Sequence, residues 1–229
     1  MKVWLIGYTK IDFFDQPGLE EEVAPWYPGY DDDADTLAEF AGRACYQSWD
    51  RPNPATANNK DYLKHILEVN HQSVLEHNSY TFYCVGVSRT LTHELIRHRH
   101  LSFSELSQRY VDLAGYDTIC PPDIVGKDTP GLTRTCSWAV VSAHNAYDMV
   151  MATLLGEGKK RKEARQAARA FLPAGMETKI VVSGNARAWR HVIEMRESPQ
   201  ADAEIQEFAR EIHRKLLNHS PNLFQQLGE

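Results

Sequence analysis

Apolar positions recur along the chain with two spacings, and the spacing assigns most segments. The opening Met1-Lys2-Val3-Trp4-Leu5-Ile6-Gly7 has one charge and a very short apolar run, which suits a first β-strand. Leu37, Phe40, Ala41, Ala44 and Cys45 fall at helical spacing, with Asp35-Thr36 as the predicted cap. Arg51-Pro52-Asn53-Pro54 breaks that helix, and Leu63, Ile66 and Leu67 mark the inner face of a second, over about residues 60–69. Residues 79–87 are rich in aromatic and branched side chains and short enough for a buried strand. A helix over 90–97 turns Leu91, Leu95 and Ile96 inward, and residues 120–131 read as a loop. Two helices follow, over about 138–155, ended by Gly156 and Gly158, and over 161–171, stopped by Pro173. Residues 178–183 predict a strand, Gly184-Asn185 opens a helix to Met195, and 201–217 form the last helix. With no repeat or linker, the economical reading is α+β: one domain over 1–229, its helices packed around a small central mixed or antiparallel sheet.

Composition narrows the class. The 229 residues suffice for one ample core, and 42% hydrophobic with 24% charged residues is ordinary for a globular chain. No stretch reaches the ~18 consecutive apolar residues of a membrane span, and the first apolar run is too short for a signal peptide. Cys45, Cys84, Cys120 and Cys136 lie far apart, so neither a disulfide framework nor a zinc ribbon is expected. Reduced thiols, a cytoplasmic location and no membrane partner are the expectation. The net charge of −6 is mostly local. Residues 12–35 hold nine acids and no Lys or Arg, leaving 22 acids against 25 bases elsewhere. With Pro17-Gly18, Pro25 and Pro28-Gly29, that segment reads as a solvated acidic surface loop.

The densest polar cluster spans residues 93–110. A zinc-protease helix needs histidines four apart, whereas His93 and His98 are five apart, about 140° around a helix. No metal site is expected. Arg97, Arg99 and Arg109 with Phe103 and Tyr110 have the chemistry to bind nucleic acid, but the chain lacks a long basic stripe, and no nucleic-acid partner is expected. A small anionic ligand fits better, held by arginine forks and serine hydroxyls. The plain structural alternative is a solvated helix end with ion pairs such as Glu94 with His98. Ser107 has no adjacent base or elbow sequence to make it a nucleophile.

Arg97-His98-Arg99, seven residues and then Ser107 match the Arg-His-Arg-x7-Ser signature of the flavin-dependent thymidylate synthases. The resemblance extends through Gly42-Arg43-Ala44-Cys45-Tyr46, His71-Gln72-Ser73-Val74-Leu75-Glu76-His77 and Ala167-Ala168-Arg169-Ala170-Phe171-Leu172-Pro173. It continues in Gly184-Asn185-Ala186-Arg187-Ala188-Trp189-Arg190-His191 and Met195-Arg196, and is strongest to the actinobacterial branch. It implies methylation of dUMP to dTMP, with methylenetetrahydrofolate giving the carbon and FAD, reduced by NADPH, giving the hydride. No enzyme cysteine takes part in that chemistry; Cys45 beside Arg43 is the nearest candidate thiolate, and a buried helix thiol is the favoured reading.

The resemblance places FAD on His71, Ser73, Arg97, His98, Arg99, Glu105, Asn185, Arg187 and His191. It places dUMP on Glu94, Arg97, Glu105, Ser107, Gln108, Arg109, Arg169 and Arg196. Arg196 and Ser107 are the implied catalytic residues. A guanidinium at the uracil N–C=O edge stabilises charge that develops in the transition state, and the serine donates a hydrogen bond without attacking. Arg161, Arg165 and Arg169 share one helix stripe; the first two read as solvated, and Arg169 as nearer the protein body. The resemblance further implies a homotetramer with shared active sites.

One position departs from the pattern. Where similar sequences carry a histidine, this chain reads Ser198-Pro199-Gln200-Ala201, and Gln200 carries neither a proton nor a charge. The same residues would also serve a nucleotide-binding module without catalysis, or a phosphate-binding regulatory protein. Flavin colour separates the first two readings from the third, and NADPH oxidation accelerated by dUMP separates the first from the second.

Overall fold

A computed structural model describes residues 1–13, 16–23, 26, 33–51, 53–127 and 130–227. Asp15, Pro25, Pro28-Gly29, Asp31, Asp32 and the helix-breaking Pro52 lie outside the described residues. Strands β1 (Lys2–Tyr8), β2 (Ser79–Ser88), β3 (Ser102–Glu105) and β4 (Glu177–Asn185) form one sheet in the order β1-β2-β4-β3. Rising residue numbers on each strand meet falling numbers on its neighbour, so the sheet is antiparallel. Gly7 faces Thr81 while Gly86 faces Met1; Thr81 meets Ser183 while Arg89 N donates to Met176 O. Leu106 N donates to Lys179 O, and Leu101 reaches Gly184. The helices are α1 (Leu19–Val23), α2 (Asp33–Tyr46), α3 (Asn59–Glu68), α4 (Arg89–Leu95), α5 (Pro130–Gly156), α6 (Arg161–Ala168), α7 (Ala186–Arg196) and α8 (Ala203–His219). The fold is α+β, a small antiparallel sheet with helices around it. Among the described residues no helix is long and apolar enough to cross a membrane.

The residues group into two compact units. One comprises Met1–Lys2, Cys84–Arg97 and Phe103–Val181. Its core joins Leu113, Tyr147, Ala168 and Met176. Helix α5 begins eight residues before Trp138, and Trp138, Val141 and Met149 on it are exposed. Arg165 is not solvated: its guanidinium donates to Tyr110 O at 2.7 Å and to Asp112 Oδ2 at 3.0 Å, with 12% of the side chain exposed. That bond, with the Ala114 amide as the larger cause, holds the Asp112 carboxyl below its usual range. Arg169 is the exposed one. The α-helix stops at Ala168, and Arg169 enters a 3-10 turn (Arg169–Phe171) that carries it away from the expected stripe.

The other unit comprises Val3–Tyr83, His98–Ser102 and Val182–Glu229. Among its described residues the acidic segment is anchored, while Asp12, Glu21 and Glu22 are exposed. Val23 and Trp26 are buried against Trp49, Phe13, Leu19, Phe40 and Ala44. Trp26 Nε1 donates to the buried Glu39, which also pairs with Arg43 at 2.6 Å. The Arg43 guanidinium lies over Tyr62, whose hydroxyl burial pushes up to about 12. Asp35 does not serve as the expected helix cap, because α2 begins at Asp33; its carboxylate accepts from Asn222 N and Leu223 N instead. Cys45 is exposed rather than buried in its helix. The buried thiol is Cys84 in β2, where desolvation raises it to about 12.

Candidate active site

Helix α7 organises the polar groups of the second unit. Asn185 caps it, its side chain accepting from Ala188 N at 2.8 Å. Ala186, Trp189, Val192 and Ile193 form its buried stripe. Arg187, Arg190, His191 and Glu194 lie at i, i+3, i+4 and i+7 on the other side. They line a cavity of about 570 Å³ together with Asn185, Gln72, Glu76 and His100. Gln72 and Glu76 come from a 3-10 turn (Gln72–His77). Arg187 Nη1 pairs with Glu76 Oε1 at 2.5 Å, both side chains about half exposed. Arg190 is buried and donates to Leu223 O at 2.7 Å and Gln225 O at 2.9 Å, which ties the C-terminal segment to the cavity wall.

His98 is buried, and its Nε2 accepts from Arg196 Nε at 2.9 Å. Its ring lies edge-on to His191, with centroids 5.8 Å apart. Desolvation, then Arg196 and His191, push its pKa down to about 4, so the imidazole is neutral at neutral pH.

The expected flavin set is therefore partly assembled. Asn185, Arg187 and His191 line the cavity, and His98 stands beside His191. His71 is half-buried against Tyr46, Ser73 is exposed, and neither lines the cavity. Arg97 and Arg99 are exposed. The sequence assigns no site role to Gln72, Glu76, His100, Arg190 and Glu194, although all five stand within or beside the quoted motifs. Helical spacing from Arg187 finds Arg190 and Glu194.

The first unit holds most of the expected dUMP set. Glu105 ends β3, accepts from Thr92 Oγ1 at 2.9 Å and pairs with Arg89 at 3.1 Å. Ser107, Gln108 and Arg109 are half-buried in a turn closed by Tyr110 N and Val111 N on Ser107 O. Arg109 Nε is buried and has no hydrogen-bond partner among the described residues. Glu94 is half-buried in α4, and Gln200 is exposed in the turn after α7.

Two arginines, two histidines, two amides and the carboxylates of Glu76 and Glu194 around a cavity of this size suit a ligand with both phosphate and heteroaromatic edges, as a flavin dinucleotide has. A family model described as "Thymidylate synthase complementing protein" matches residues 29–222. The chain is 50% identical over 207 residues to a flavin-dependent thymidylate synthase of Mycolicibacterium vanbaalenii, covering 87% of this chain and 82% of that protein. It is 48% identical to the protein of that name from Mycobacterium avium and 47% to that from Mycobacterium tuberculosis, each alignment covering 98% of this chain and 88% of the relative. The chain belongs to the flavin-dependent thymidylate synthase family.

Proposed function

We propose that the protein methylates dUMP to dTMP in the cytoplasm, with bound FAD, NADPH as reductant and methylenetetrahydrofolate as carbon donor. The observation that carries this reading is the α7 cavity, where Asn185, Arg187 and His191 converge in a chain of this family. When bound, the flavin supplies the hydride. Arg187, exchanging Glu76 for the anion, offers charge to a pyrophosphate, and Asn185, Gln72 and His191 offer hydrogen bonds to a heterocycle edge. For dUMP, Ser107, Gln108 and Arg109 form a short donor array, with Arg169 as a further cation. Arg196 stabilises negative charge on the uracil N–C=O edge, and Ser107 acts by hydrogen bonding.

The proposal includes a homotetramer with shared sites. Exposed Trp138 (78%), Met149 (71%) and Val141 (56%) on α5 support self-association, because monomers rarely leave so many large apolar groups on one helix in water. The deciding experiment is tritium release from 5-labelled dUMP with FAD, NADPH and methylenetetrahydrofolate. Release should need every component. A folded, flavin-loaded protein that releases none would overturn the reading.

A further inference from the structure

We infer that His98 is a positioning residue for Arg196: by accepting the Arg196 Nε–H on its own Nε2, it sets the direction in which the guanidinium faces the substrate. The inference rests on the proposed reaction, in which Arg196 acts on uracil.

Arg196 is the last residue of α7, three residues after buried Ile193 and four after buried Val192. It thus continues the apolar stripe beyond the end of the core, where it is half-buried. A cation in that position needs a fixed polar partner, and an arginine side chain left unheld samples many rotamers. The bond to Nε takes hold next to the guanidinium carbon, so it restrains the plane in which Nη1 and Nη2 lie.

The acceptor is itself fixed. The His98 side chain is buried, its backbone carbonyl accepts from Leu101 N in a tight turn, and its ring abuts His191. The bond requires one tautomer, with the proton on Nδ1 and the lone pair on Nε2. Among the described residues, Arg196 and His191, both on α7, are the charged and titratable groups that act on the ring, while Arg97, Arg99 and His100 beside it in sequence are exposed. These surroundings keep the imidazole neutral at neutral pH, so Nε2 stays an acceptor. A protonated His98 would present a donor and repel the guanidinium.

Two measurements test this. In ¹⁵N-labelled unaltered protein at pH 7, with and without FAD, the His98 ring should show a bare Nε2 and a protonated Nδ1. The Arg196 Hε should exchange slowly with water. A protonated Nε2 overturns the inference whatever the activity. The second is a double-mutant cycle with saturating flavin. His98→Phe should lower kcat about 10- to 100-fold with the dUMP KM within about threefold. His98→Gln, whose side-chain oxygen reaches the Nε2 position, should recover at least about a third of wild-type kcat. The His98→Phe/Arg196→Ala double variant should be no slower than Arg196→Ala alone. Additive losses, or equal losses in the Phe and Gln variants, refute the role. Wild-type protein that forms no dTMP would sink the functional reading, while the tautomer measurement still decides the His98–Arg196 bond.

Discussion

Replacing Asp35 by alanine separates two uses of a carboxylate near the start of α2. A helix cap contributes about 1 kcal/mol, and its loss frays the adjoining turn. The structure uses Asp35 differently: its oxygens accept from Asn222 N at 2.9 Å and Leu223 N at 3.0 Å, groups 187 and 188 residues away in sequence. A hydrogen bond to a charged group contributes about 1.5–3 kcal/mol net. The Leu223 bond is buried and keeps its full value, whereas the Asn222 bond is partly exposed, and water replaces some of it. Asp35→Ala should therefore cost about 2–4 kcal/mol. The segment so released carries Leu223 and Phe224, both fully buried. Urea unfolding at pH 7 gives the magnitude, and amide exchange gives the place. Protection should vanish at Leu223 and persist within α2. A loss near 1 kcal/mol confined to α2 would refute the long-range role.

Stability should also fall as the pH drops below 6.5. The unfolded His98 takes up a proton at its ordinary pKa of about 6.5, while the folded ring does not until about 4, so the difference grows through that window and then stops. Between pH 7 and 4.5 the unaltered protein should lose about 2–3 kcal/mol more than His98→Gln in urea unfolding, and parallel profiles would contradict this. At Gly184 an added methyl would overlap Leu101 Cδ2 and stand 3.4 Å from Trp189 Nε1. Gly184→Ala should cost about 1–3 kcal/mol and weaken flavin retention, since Leu101 closes the turn that begins at His98; unchanged unfolding and absorbance would show that the site yields freely. Arg196→Ala should keep flavin and lose about 100- to 1,000-fold in turnover, and activity within a few-fold of wild type would remove it from the chemistry.

What the sequence revealed depended on whether a residue's role is local. Helices α3, α7 and α8 and strands β2 and β4 stand close to their expected places because each buries a regular stripe. The first part of α5 carries no helical signal in the sequence because residues 131–139 are exposed and display no inward pattern. Strand β3 is four residues long and lies inside a cluster of charged groups that masks its alternation. In the acidic segment the charge count concealed Phe13, Leu19, Val23 and Trp26, whose burial depends on Phe40 and Trp49 farther along the chain. The α7 side of the site was legible, since motif and helix spacing coincide there. The roles of Asp35, Arg165 and Arg190 were not, because their partners lie at least 33 residues away and no local pattern encodes them.

The arginines of this chain differ in what their partners do to their charge, and that difference can be tested at Arg196. Buried Arg43 faces a carboxylate at 2.6 Å, which fixes the guanidinium and also cancels its field. Arg190 is held by two carbonyl oxygens and serves as a structural tie. The His98 bond fixes Arg196 through a neutral acceptor, so that bond orients the side chain without neutralising it. Stabilising negative charge in a transition state depends on a fixed direction and on how much negative charge lies around the guanidinium, and a neutral acceptor adds none. His98→Glu separates them: a glutamate can accept from Nε in place of the ring but adds a negative charge beside the guanidinium. Its Arg196 Hε should remain slow to exchange, while kcat falls by at least about tenfold relative to His98→Gln, the neutral acceptor. If the Glu and Gln variants turned over equally with Arg196 held in both, orientation alone would account for the residue, and the electrostatic role assigned to Arg196 would be wrong.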